Sequence, residues 1–200
     1  MRPLTDHCPK PLLMVNDKPL IVYHLEALKR AGIDSVVINV SWLGDQIEQV
    51  LGDGRRFGLH IEYSREAEAL ETAGGIVQAL DKLDERFVVV NADVFSDYDF
   101  RRLLDIDASA HLVLVANPEH HPAGDFAIEQ GYLLDSGEPH YTFSGIACYH
   151  KSFFEGLAPG KRPLAPLLRA AANRKQVTAE LFEGLWSDIG TPERLQALQG

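Results

Sequence analysis

The 200 residues carry 29 acidic against 19 basic side chains, a net charge of -10, with 46% hydrophobic content. That is enough apolar sequence for one globular domain with its own core. The acidic balance, with basic clusters no larger than pairs such as Arg55-Arg56 and Lys161-Arg162, argues against nucleic acid or an anionic membrane as partner.

The opening, Met1-Arg2-Pro3-Leu4-Thr5, leads into a polar, proline-rich loop and not into the apolar core of a signal peptide. No apolar run approaches the roughly 18 residues of a transmembrane helix, so a cytoplasmic protein is expected. A doubly wound sheet ordinarily opens on a strand followed by a glycine-rich turn, and here that first strand is missing. A helix is predicted over 19–31, where Ile21, Leu25 and Leu28 recur at helical spacing and Lys29, Arg30 and Gly32 mark the stop. Ser35-Val36-Val37-Ile38-Asn39-Val40 reads as a buried parallel strand. A helix over 43–51, a strand over 59–63, a helix over 72–80 and a strand over 87–91 continue an α/β alternation with right-handed crossovers.

Beyond residue 91 the rhythm changes. Strands are predicted at 111–115, 126–128, 132–134 and 143–149, mixed or antiparallel and placed around a substrate pocket. A helix at 163–174, a strand at 177–182 and a helix at 191–198 complete the chain. Thr191 suits the cap of that last helix, Pro192 its first position and Glu193 its positive end. Cys8 and Cys148 have no Cys-x-x-Cys spacing, which argues against a zinc site or disulfide framework, and Cys148 in Ile146-Ala147-Cys148-Tyr149 reads as core.

Several positions can carry chemistry. Asp93 follows an apolar strand, at the carboxyl edge where α/β sheets bind ligands, and Asp188 lies in a loop before a helix cap. Two such carboxylates can hold one hard cation; equally, Asp93 can cap a turn and Asp188 can be a solvated loop residue. In Pro9-Lys10-Pro11-Leu12 the flanking prolines fix the backbone around Lys10, which suits an ammonium placed opposite phosphate as well as a plain exposed lysine. Thr72-Ala73-Gly74-Gly75 can open a helix with a capping hydroxyl and let a ligand approach the backbone. His120-His121 with Gly124-Asp125-Phe126 reads as a loop in which Asp125 can recognise hydroxyls.

Taken in order, Arg2-Pro3-Leu4-Thr5, Pro9-Lys10-Pro11-Leu12, Glu71-Thr72-Ala73-Gly74-Gly75, Asn91-Ala92-Asp93, Phe143-Ser144-Gly145-Ile146 and Trp186-Ser187-Asp188-Ile189-Gly190-Thr191-Pro192 resemble the motifs of the sugar-1-phosphate nucleotidyltransferase family. The resemblance implies a Rossmann-like, GT-A-like three-layer sandwich around a mostly parallel mixed sheet, as one domain over 1–200. It implies Mg²⁺ held by Asp93 and Asp188, with Lys10 neutralising developing charge. Arg2, Lys10, Glu71 and Gly74 would face the nucleotide, and Asn91, Asp125, Ser144 and Gly145 the sugar.

Within the family the chain is similar to bacterial N-acetylmuramate-1-phosphate uridylyltransferases of cell-wall recycling. The likeness runs through Asn117-Pro118, His120-His121, Gly124-Asp125-Phe126, Thr142-Phe143-Ser144-Gly145-Ile146 and Leu164-Ala165-Pro166-Leu167-Leu168. UTP and N-acetylmuramate 1-phosphate are the implied substrates. Mannose-1-phosphate guanylyltransferases share the central motifs and remain an alternative. The family signature of a strand followed by Gly-x-Gly-x-Arg is represented here by Met1-Arg2-Pro3-Leu4-Thr5 alone, so an N-terminally truncated domain of weak or absent activity is expected. A catalytically inactive, transferase-like regulatory or binding protein is the reading from another class. A dinucleotide-binding oxidoreductase is set aside because Gly-x-Gly-x-x-Gly is lacking.

Overall fold

A computed structural model describes residues 1 and 3–199. In chain order the elements are β1 (Met14–Val15), β2 (Lys18–Pro19), α1 (Leu20–Arg30), β3 (Ser35–Val40), α2 (Gly44–Leu51), β4 (His60–Arg65), α3 (Glu71–Ala79), β5 (Arg86–Val90) and β6 (Val94–Ser96). They continue with β7 (Ala110–Val115), β8 (Phe126–Glu129), β9 (Tyr132–Leu134), β10 (His140–His150), α4 (Ala165–Ala172), β11 (Val177–Phe182), β12 (Trp186–Asp188) and α5 (Pro192–Ala197). The chain forms two compact units, one from Met1–Ala69, Asn91–Arg101 and Leu185–Gly200, the other from Leu70–Val90 and Arg102–Gly184. Among the described residues no helix is long and apolar enough to cross a membrane.

In the first unit α1 buries Leu20, Ile21, Leu25 and Leu28 and ends in Lys29 and Arg30, as its periodicity predicts. β3 and β4 pair in parallel from Ser35 opposite His60 to Val40 opposite Arg65. β3 is less buried than its apolar run suggests, with Ser35 and Asn39 exposed. Two short ladders escape the sequence reading. β1 and β2 form a tight hairpin whose loop residues Asn16 and Asp17 have φ of 46° and 63°, a conformation these short polar side chains tolerate. β6 and β12 pair antiparallel, Trp186 opposite Ser96 and Asp188 opposite Val94. Three-residue strands carry too little periodicity to be seen in a sequence.

The second unit is built on a six-stranded sheet of order β5-β10-β7-β11-β9-β8. β7 and β11 run parallel, and the other pairings of this sheet are antiparallel. The expected α/β fold with parallel strands is thus present, but the mostly parallel character belongs to β3 and β4, while the larger sheet is mixed and predominantly antiparallel. The cause lies in the connections: β8, β9 and β10 follow one another through turns too short for a crossover helix. β7 lies between β10 and β11 and every residue in it is buried. Cys148 packs in β10, and burial pushes its thiol up to about 11, as expected of a core cysteine.

Leu114 is fully buried at the centre of this sheet. Leu114→Ala should cost about 2–5 kcal/mol of unfolding free energy, whereas Val50→Ala, at an exposed position of α2, should stay within about 0.5 kcal/mol. Urea unfolding of the two variants beside the parent chain checks both.

Candidate active site

Lys10 heads a single 3-10 turn over Lys10–Leu12, closed by Leu12 N–H donating to the Pro9 carbonyl at 2.8 Å. Leu12 and Leu13 are buried, so the turn is pinned from below and the lysine is aimed outward, as the flanking prolines predict. Its Nζ donates to Asp93 Oδ2 at 2.7 Å, with side chains 29% and 40% exposed. An ion pair this open adds little stability, which leaves both groups available to a ligand.

Asp93 and Asp188 are each followed by a buried aliphatic residue, Val94 and Ile189. Val94 opens β6 and Asp188 closes β12, and the register sets Asp188 opposite Val94. The Ile189 N–H then donates to the Asp93 carbonyl at 2.7 Å. Two carboxylates 95 positions apart in sequence are thereby brought to one end of one ladder. The other end is tied by Leu185 N–H to Asp97 Oδ1 at 2.8 Å.

Arg194 also meets Asp188. Its Nη1 donates to both Asp188 oxygens, each at 2.8 Å. Thr191 caps α5 by accepting from the Arg194 N–H at 3.3 Å and Pro192 takes the first helical position. The Glu193 backbone N–H, together with the Thr191 hydroxyl, holds the Glu193 carboxyl below the usual range. The predicted cap is therefore present, and one of its consequences is the placement of Arg194.

His24, absent from the sequence reading, supports Asp93 from beneath. It projects from α1, is 4% exposed, and its Nε2 lies 2.7 Å from the Val94 carbonyl oxygen. Burial depresses the imidazole to about 4, against the opposing effects of that hydrogen bond and the Asp93 charge. It is therefore neutral near pH 7, with Nε2 protonated to serve the carbonyl. A histidine within an apolar helix face carries no periodic signal that separates a support from a core residue.

An open cleft of about 1060 Å³ in the first unit is lined by Thr5, Asp6, Lys10, Asn39, Ser41, Trp42 and Gly190, among others. Trp42 and Asn39 were not singled out in the sequence, although they stand at the carboxyl end of β3, where α/β sheets receive ligands. Trp42 is 73% exposed. Asn91 is exposed, and its carbonyl accepts from the Val94 N–H at 3.2 Å. Arg2 lies outside the described residues.

The second unit corrects several expectations. Thr72 does not cap α3; the helix begins at Glu71, with Leu70 as cap and no side-chain bond. Gly74 is not open to a ligand on the side where its Cβ would project. A Cβ there would lie 2.4 Å from the Gly160 carbonyl oxygen, and the Gly74 N–H already donates to the Arg162 carbonyl at 3.2 Å. This glycine is needed for the close approach of 160–162 to the helix start. Glu71 has φ of 61°, a strained value for a side chain of its size, and lies 3.6 Å from Lys161.

Ser144 is 1% exposed. It donates to the Val113 carbonyl at 2.6 Å and accepts from the Ile146 N–H. Gly145, at φ 79°, makes the accompanying bulge where β10 shifts register against β7. Both residues shape β10, and the Ser144 hydroxyl is engaged inside the fold instead of being presented to a substrate. Asp125 accepts from the Phe143 N–H at 2.8 Å and lies 3.1 Å from His121 Nε2. Asn117 holds the same loop through Pro122, His140 and Thr142.

Residues 1–128 match the family model described as nucleotidyl transferase. The chain is 47% identical over 215 residues to the N-acetylmuramate alpha-1-phosphate uridylyltransferase of Neisseria meningitidis serogroup B, covering all of this chain and 91% of that protein. It is 30% identical over 210 residues to the mannose-1-phosphate guanylyltransferase of Mycobacterium tuberculosis, covering 96% of this chain but 58% of that one. Among solved structures, a Bacillus anthracis protein provisionally named glucose-1-phosphate thymidylyltransferase superposes with a TM-score of 0.85 at 23% identity, over 99% of this chain and 88% of that one. HddC of Yersinia pseudotuberculosis complexed with GMP-PN superposes at 0.78 and 19% identity, over 99% and 92%. At these identities the two structures speak to the fold alone.

The His24 geometry sets a pH dependence. Its imidazole binds a proton near 6.5 when unfolded but near 4 when folded, so between these values the unfolded state holds more protons. The associated stability is complete above about pH 6.5 and is lost as pH falls towards 4. Between pH 7 and pH 5 the parent chain should lose about 2 kcal/mol more than His24→Gln. Urea unfolding of both chains at the two pH values measures the difference, and parallel losses would contradict it.

Proposed function

The chain belongs to the nucleotidyl transferase family, and from that premise we propose that it transfers UMP from UTP to a sugar 1-phosphate, N-acetylmuramate 1-phosphate, releasing pyrophosphate. The observation that carries this reading is the convergence of Lys10, Asp93 and Asp188 on one end of the β6–β12 ladder. The choice of sugar and base rests on the 47% identity to the meningococcal uridylyltransferase. Peptidoglycan recycling in the cytoplasm is the setting that goes with these substrates.

In this reaction an oxygen of the sugar phosphate attacks the α-phosphorus in line, and the bond to pyrophosphate breaks with its electron pair leaving on pyrophosphate. Both reactants are anions, so positioning and charge neutralisation supply most of the rate. A protein nucleophile is not required. Lys10 stands on a pinned turn at the cleft wall and contributes a fixed positive charge to the phosphates. Arg2 and Glu71 carry over from the motif as nucleotide-side residues, Asn91 as an exposed sugar-side group, and Asp125 through the part of its carboxylate left by Phe143 and His121.

Asp93 and Asp188 would hold Mg²⁺, which when bound supplies charge that screens the repulsion between the two phosphates. The residues fit that ion. Their donors are hard carboxylate oxygens, their side chains are 40% and 31% exposed, and among the described residues no third His, Cys, Asp or Glu joins them in a cage. Mg²⁺ favours such a sparse set because water and phosphate oxygens complete its shell.

Pyrophosphate release from UTP and N-acetylmuramate 1-phosphate with Mg²⁺ should exceed that from GTP and mannose 1-phosphate. The reverse order would replace this reading with a guanylyltransferase, and inertness with every pair offered would favour a binding protein. Asp188→Asn should lower kcat by about 10²–10³-fold with little change in melting temperature, as read by the same assay and by thermal unfolding.

A further inference from the structure

We infer that Arg194 is a positioning residue that serves as a built-in counter-ion for Asp188, occupying the edge of the carboxylate that a divalent cation would otherwise take. The inference rests on the proposed role of Asp188 as a cation ligand and goes beyond it. One guanidinium nitrogen stands 2.8 Å from both Asp188 oxygens. A donor equidistant from two carboxylate oxygens lies on the bisector between them, which is also where a bidentate cation would sit. Arg194 cannot lose its charge at any ordinary pH, so it competes with a cation by position and by sign.

The pairing is built into the local fold. A Cβ on Gly190 would lie 2.0 Å from Arg194 Nη2 and 2.9 Å from Cζ, so the guanidinium rests in a notch that only glycine leaves. The Thr191 cap fixes the Arg194 backbone, and buried Leu195 fixes the next residue. Asp93 has a cationic partner of its own in Lys10, which meets its Oδ2 at 2.7 Å. Each carboxylate thus carries a cationic partner from its own unit. A free divalent cation must displace or share with those partners, whereas one that arrives with a nucleotide brings phosphate oxygens that can receive the displaced arginine.

The test is direct titration of the full chain with Mn²⁺ alone, following free Mn²⁺ by electron paramagnetic resonance, with no substrate and no turnover. Arg194→Met should bind Mn²⁺ about tenfold more tightly than the parent, the scale expected for removing one like charge near a partly exposed site. Gly190→Ala, which keeps the charge but crowds the guanidinium out of its notch, should shift affinity in the same direction by less. Arg194→Lys, which keeps the charge, should remain closer to the parent than Arg194→Met. A purely structural Arg194 would give the opposite sign, because a disordered Asp188 binds more weakly. Unchanged or weaker Mn²⁺ binding by Arg194→Met overturns the inference. If Asp188→Asn titrates like the parent, Asp188 holds no cation, and the inference falls together with the metal assignment it rests on. If Asp188→Asn loses binding while Arg194→Met matches the parent, the assignment stands and the counter-ion role alone is wrong.

Discussion

The Ile189 N–H donated to the Asp93 carbonyl, with the three-residue ladder beside it, is the interaction on which the candidate site depends. It fixes the register in which two remote loops meet. A slip of one residue would turn Asp188 to the opposite face of the ladder and carry Ile189 out of the core. Burial of Ile189 among Leu13, Val15, Leu20 and Leu195 opposes that slip, as does burial of Val94. The apolar residues that follow the two carboxylates thus set where the carboxylates stand.

From this constraint the surrounding features follow. His24 secures the carbonyl of Val94 from α1, and the edge-to-face contact of Tyr23 with Phe95 holds the middle of β6 against the same helix. The 3-10 turn of Lys10 rests on Leu12 and Leu13, so its ammonium reaches Asp93 from a fixed base. The cap of α5 delivers Arg194 to Asp188. Charges of both signs are therefore held close together by groups that are themselves buried, an arrangement suited to stabilising anions in contact without reorganisation.

Glycine serves different ends in the two units. Gly190 leaves room for the Arg194 guanidinium, and Gly74 leaves room for the backbone of 160–162. In the sequence Gly74 reads as an opening towards a ligand, because a missing side chain looks the same whether a substrate or the protein's own chain fills the space. The same ambiguity covers Ser144, a motif residue whose hydroxyl is absorbed by the bulge in β10.

Most longer elements were legible in the sequence. Helical spacing of Leu25 and Leu28, the β-branched run of 35–40 and the cap at Thr191-Pro192-Glu193 are local signals, and local physics fixed them. Lys10, Asp93 and Asp188 also stood out as candidates, Lys10 between prolines, Asp93 after an apolar strand and Asp188 before a helix cap, although Asp188 closes β12 instead of lying in a loop. What the tertiary structure alone decided was which of these side chains meet, and what else meets them. The β6–β12 register, the placement of His24 beneath Val94, the Arg194 clamp on Asp188 and the antiparallel majority of the larger sheet arise between segments far apart in the chain. Pairing of that kind is set by burial and hydrogen bonding across the fold, and it leaves no periodic trace in the sequence.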